Sequence, residues 1–222
     1  MSVQILGTDG TNKWKVDAQT SGQITPYHPN ITGNGAYRIG AASGLITGVA
    51  AGTASAGHIF AARWNNVSKL ALVTYFRARW STIAGFTAAQ EVGLDLYVAR
   101  SYTSNHTGGT GLTLTGNNAK KRSSYATTNF ADMRISTTGA LTNVATTLDS
   151  QPIAYGSVSE LATGAAIPKL SLQIEFGLND TSMHPLILSQ DTGLVLRNTI
   201  LMGAGGTARV AIEMEWMEVD SY

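Results

Sequence analysis

The side chains able to do chemistry are few and dispersed. Glu213 and Glu215 stand two apart, so on a strand both carboxylates leave one face with their Cα atoms roughly 6–7 Å apart. A separation of that order suits the paired acids of glycoside hydrolysis. Such enzymes, however, take their acids from opposite sides of a cleft, and here the pair lies on the polar side of an amphipathic run. A solvated face is therefore expected. His28, His58, His106 and His184 share no metal-ligand spacing such as His-x-x-x-His. His28 sits between Tyr27 and Pro29, and His184 precedes Pro185, which is turn chemistry. With no cysteine, a thiolate nucleophile, a disulfide and a thiolate metal site are all excluded. The glycine strings at 108–111 and 203–207 lack the Lys-Ser/Thr ending of a phosphate loop, and the second reads as a hairpin turn. No Gly-x-Ser-x-Gly elbow occurs. The expectation is a protein with no catalytic residues, no metal and no cofactor.

Residues suited to touching a partner are easier to find. Residues 101–129 form a stretch of Thr, Gly and Asn far longer than a median loop of ~5 residues. It carries Tyr102, His106 and Tyr125, together with Lys120-Lys121-Arg122, the only basic triplet. Trp14, Tyr27 and His28 in the first 34 residues complete the candidate contact set. Trp80 and Trp216 fall on apolar strand faces and are expected in the core.

The elements that must position these residues are strands. Alternation of apolar and polar residues runs through 69–80, 91–100, 170–177 and 208–219. One face reads Leu70, Leu72, Thr74, Phe76, Ala78, Trp80 in the first. Val92, Leu94, Leu96, Val98 do the same in the second, Leu170, Leu172, Ile174, Phe176 in the third, and Val210, Ile212, Met214, Trp216 in the last. Shorter β-compatible runs occupy 36–41, 57–64, 133–137, 151–155, 185–189 and 194–200. No stretch has a capped 3.6-residue stripe; 123–131 is a short turn at most. The fold class predicted is all-β: an antiparallel two-sheet sandwich of jelly-roll type spanning 35–222. Residues 1–34 read as a separate hairpin and extended arm, turning at Asp9-Gly10 and ending among prolines, glycines and asparagines.

Composition narrows the classes further. Of 222 residues only 13% are charged, about half the usual ~25%, while 43% are hydrophobic. Fifteen basic and 14 acidic residues leave a formal net charge of +1. Disorder needs the opposite balance, and binding to nucleic acid through phosphate neutralisation needs a basic excess. No window approaches the ~18 apolar residues of a membrane span, and Met1-Ser-Val-Gln-Ile lacks the basic start of a signal peptide. Neither direct nucleic-acid contact nor a membrane is expected, and synthesis in a cytoplasm is.

Several strings of residues resemble a family. Gly35-Ala-Tyr-Arg-Ile-Gly-Ala-Ala-Ser-Gly44 and Phe60-Ala-Ala-Arg-Trp64 are similar to the start of a small structural protein of tailed bacteriophages. Leu96-Tyr-Val-Ala-Arg-Ser-Tyr-Thr103, Asp132-Met-Arg-Ile-Ser136, Leu148-Asp-Ser-Gln-Pro152, His184-Pro-Leu-Ile-Leu188 and Glu213-Met-Glu-Trp-Met-Glu-Val219 continue the likeness. The resemblance covers about 35–219 and consists of strand and loop residues rather than a catalytic signature. It implies a virion component without enzymatic activity: a head decoration, or cement, protein on the outer capsid surface. Its partners would be the major capsid protein and copies of itself, as a homotrimer. The alternative is a tail, baseplate or fibre component whose 101–129 loops bind a host glycan or receptor.

Overall fold

The computed structural model describes residues 35–53, 55–162, 169–176 and 185–220. The strands in chain order are β1 (Ala36–Ala42), β2 (His58–Trp64), β3 (Leu70–Ala84), β4 (Gln90–Tyr102), β5 (Thr110–Gly111) and β6 (Phe130–Ile135). They continue with β7 (Thr146–Leu148), β8 (Ala154–Glu160), β9 (Lys169–Glu175), β10 (Leu186–Leu188), β11 (Thr192–Asn198) and β12 (Thr207–Val219). The expected class is met: all pairings are antiparallel, and two sheets enclose one core. Among the described residues no helix is long and apolar enough to cross a membrane. The proposed hairpin and arm, with Trp14, Tyr27 and His28, lie outside the described residues, as does His184.

The five-stranded sheet runs β1-β12-β3, with β9 and β10 sharing the far side of β3. The seven-stranded sheet runs β5-β6-β2-β11-β4, with β7 and β8 sharing the far side of β4. The pairings are nested: β1 lies on β12, β2 on β11, β3 on β9 and β10, β4 on β7 and β8. Successive strands from β1 to β4 alternate between the sheets, so each loop between them crosses the core.

Inward positions of the two sheets meet as the alternation demands. Phe76, Ala78 and Trp80 of β3 and Val210 to Trp216 of β12 face Val92, Leu94, Leu96 and Val98 of β4 across the core. At one end the rings stack in series. Trp64 meets Phe130 edge-on at 5.1 Å, Phe130 meets Trp216 edge-on at 5.1 Å, and Trp216 stacks on Tyr37 at 5.5 Å. Trp64, Trp80 and Trp216 are thus all core residues.

Two details depart from the sequence pattern. A bulge between Glu215 and Trp216 shifts the register so that Trp216 lies opposite Val73. The phase of β3 reverses there: Ala71 and Val73 join the main core cluster, while Leu72 is also buried and Leu70 only partly so. The run at 151–155 begins its ladder only at Ala154 and continues to Glu160, because Tyr155 to Ser159 carry few apolar residues to announce a strand.

Candidate functional site

The two sheets present very different outer faces. On the five-stranded sheet, Glu213 and Glu215 leave the same side of β12, as their spacing requires. Arg77 lies directly opposite Glu213, and Arg79 follows on the same face. Each guanidinium donates to a separate oxygen of Glu213 at 2.6 Å. Chiefly through the Arg77 hydrogen bond, the carboxyl is held below its usual range. Glu215 pairs instead with Lys121 at 2.5 Å. A carboxylate clamped by two arginines is a fixed charge and cannot serve as a proton donor near neutral pH. Beside this network is a cleft of about 550 Å³ between the sheet and the 112–118 loop, lined by Arg38, Gly40, Tyr75, Asn118 and both glutamates.

On the seven-stranded sheet the outward residues at the centre of β4 and along β11 are covered. Arg197 of β11 and Asp95 of β4 form a two-pronged ion pair, Nε–Oδ1 3.2 Å and Nη2–Oδ2 2.9 Å, with side chains only 10% and 7% exposed. The guanidinium also lies 3.9 Å from the centre of the Tyr97 ring. Further along, folding brings together two histidines 48 residues apart. His58 Nδ1 and His106 Nε2 are 2.8 Å apart, and the rings stack at 5.1 Å. His58 Nε2 lies 3.0 Å from the Thr53 carbonyl, which can only accept, so that nitrogen carries the proton. His58 Nδ1 is then the acceptor, His106 Nε2 the donor, and His106 Nδ1 a buried lone pair without a hydrogen bond. Burial is the main reason that both rings are pushed down to about 4, with Arg197 near His58 and Arg134 near His106 adding to it. This is a neutral pair, and two imidazoles do not make a metal centre. Among the described residues no group of three or more His, Asp or Glu could hold a metal ion.

The candidate contact residues divide accordingly. Tyr102 and His106 are 4% and 2% exposed and pack on each other. Tyr102 also donates to the Leu194 carbonyl at 3.2 Å. They are interior residues, which removes them from any contact surface. Lys121 and Arg122 are exposed, and Lys120 and Tyr125 half-buried. Arg122 sits over the Tyr125 ring at 5.6 Å. The 110–129 stretch itself closes the sandwich: Leu112 N donates to Met133 O on one sheet, and Lys121 N to Ala36 O on the other. Two buried acids escaped the sequence reading. Glu218 accepts from Thr128 Oγ1, Asn129 N, Asn129 Nδ2 and Trp216 Nε1, tying down the end of that stretch. Glu160 accepts from Thr82, which in turn accepts from Trp80 Nε1 at 2.9 Å. The parity of Glu218 in its strand, level with Val210 to Trp216, was the available signal.

No family model, curated protein or solved structure matches the chain.

Proposed function

We propose that the chain is a structural component of a tailed-phage particle: a head decoration protein seated on the outer capsid across capsomer junctions. The nested strand pairing carries this reading. We take it as the arrangement of a jelly roll, in which a long hairpin wraps into two sheets. The resemblance over 35–219 points the same way. In this reading the partners are the major capsid protein and two further copies of the chain, because capsids offer three-fold seats to a closed cyclic oligomer. The low charge of the chain suits permanent contact with little charge desolvation. Residue 35 immediately precedes β1 at the border of the five-stranded sheet, so residues 1–34 are attached where strand addition to a neighbour is possible. The function is binding and clamping, without catalysis.

The test is a paired measurement on the full chain and on a chain lacking residues 1–34. Immunogold labelling should find the full chain on the heads of phage particles. The truncated chain should melt cooperatively yet be lost from particles, because a shortened contact dissociates faster. Label on tails instead of heads would overturn the decoration reading in favour of the tail alternative. Full occupancy by the truncated chain would overturn the arm.

A further inference from the structure

The outer face of the five-stranded sheet carries a row that the clamping role does not use. Arg38 lies opposite Glu215, Glu215 opposite Tyr75, and Tyr75 opposite Glu175, on β1, β12, β3 and β9 in turn. At about 4.8 Å per strand the row spans roughly 14 Å. Tyr75 divides it into two hollows. That toward β1 is the cleft of about 550 Å³; that toward β9, of about 490 Å³, is lined by Thr74, Glu175 and Phe176 together with Tyr75 and the two β12 glutamates.

The groups along the row are unequally occupied. Glu213 and Glu215 are neutralised by Arg77, Arg79 and Lys121. Arg38 is exposed and has no ion-pair partner among the described residues. The Tyr75 hydroxyl likewise has no hydrogen bond there, and Glu175 accepts only from Gln173 at 3.1 Å. The trough therefore offers a free guanidinium at one end, a half-buried aromatic ring in the middle and a free carboxylate at the other. A guanidinium selects a carboxylate through two parallel hydrogen bonds. An aromatic ring takes the C–H face of a sugar, and a carboxylate accepts from hydroxyls. A polyphosphate chain laid along the row would meet the carboxylate of Glu175, which has no cation partner among the described residues, and this argues against nucleic acid.

We infer that this trough binds a short oligosaccharide that is neutral except for one acidic terminal sugar, with its carboxylate on Arg38, a ring on Tyr75 and hydroxyls toward Glu175. This goes beyond the clamping role and stands whether the chain sits on a head or a tail.

Isothermal titration of the full chain with 3′-sialyllactose and with trisaccharides ending in glucuronic or galacturonic acid tests it, with lactose and neutral trisaccharides as controls. At least one acidic probe should bind with Kd below about 1 mM and at least tenfold more tightly than its neutral control. Tyr75→Ala should weaken that binding at least tenfold, while Tyr75→Phe, which keeps the ring, retains most of it. Arg38→Gln should reduce the acidic probe to the level of the neutral one. Chemical-shift mapping on the unaltered chain should place the perturbed resonances on Arg38, Tyr75 and Glu175, independently of how any variant folds. Absence of binding by every probe, mapping to another face, or an unchanged acidic preference in Arg38→Gln would overturn the inference.

Discussion

The outer faces of the two sheets are built by the same alternation and end in opposite states. On the five-stranded sheet the polar residues of β3 and β12 remain at the surface, where Arg77, Arg79 and Glu213 neutralise one another in water. At the centre of the seven-stranded sheet the corresponding residues are enclosed, so Asp95 pairs with Arg197, and His58 with His106, with almost no solvent. Identical side-chain types thus have different energetic weight. An exposed ion pair contributes about 0–1 kcal/mol, whereas breaking a buried one by removing a partner costs about 3–5 kcal/mol. The difference shows that polarity in a strand pattern identifies a face without saying whether that face is wet.

The sharpest way to break this contrast is to remove one member of the enclosed pair. Asp95→Ala leaves Arg197 charged and unpaired, and urea unfolding should record a loss of about 3–5 kcal/mol. The double change Asp95→Leu with Arg197→Met should recover most of it. A loss below 1 kcal/mol in Asp95→Ala would mean that the covered face is not electrostatically dry.

Acid should come next. The histidine pair has folded values near 4 against an ordinary 6.5, so the unfolded chain binds more protons between those limits. Stability is then complete above about pH 6.5 and is lost as pH falls toward 4, by on the order of 3 kcal/mol for each ring. Unfolding free energies measured from pH 7.5 down to 4.5 should follow that slope. In a His58→Gln, His106→Gln chain the slope over this window should largely disappear. A flat profile in the unaltered chain would contradict burial of the neutral pair.

Tyr102→Phe is a finer probe of the same face. It removes the hydrogen bond to Leu194 O while keeping the ring on His106, and should cost about 1 kcal/mol by the same measurement. The smallest effects belong to the open face. Glu213→Gln and Glu215→Gln should each melt within ~4 °C of the unaltered chain. On the proposed virion role, both should also join phage particles at full occupancy with normal infectivity; a large loss of infectivity with normal occupancy would revive a hydrolytic role for the pair.

Much of the frame can be read from the residues, because core strands longer than six residues advertise their period. Val92 to Val98 and Val210 to Trp216 alternate without interruption and pack as the pattern demands. The reading slips where backbone geometry intervenes. The bulge at Thr74 inverts a phase that composition gives no reason to doubt, since Leu70 and Leu72 are as apolar as Ala71 and Val73. The chemistry was less accessible. His58 and His106 meet only because β2 and the loop after β4 converge, and no spacing encodes that. Tyr102 and His106 look like recognition residues in a Thr- and Gly-rich stretch, yet the chain folds that stretch back on itself. Glu213 and Glu215 were legible as a surface pair because their shared face follows from the period of one strand, while Lys121, the partner of Glu215, comes from a loop that no strand pattern places.

The place of the last strand has a consequence for biosynthesis. β12 lies between β1 and β3, and β11 between β2 and β4, so the middle of each sheet is filled by segments translated well after β1 to β4. During translation, β1 to β4 emerge with their pairing edges unsatisfied and their apolar faces uncovered. Neither sheet can close until residues beyond 192 have left the ribosome. Long-range closure of this kind is slow, and chains waiting for it are prone to associate with one another. A premature stop before β12 leaves an open sheet edge rather than a smaller sandwich.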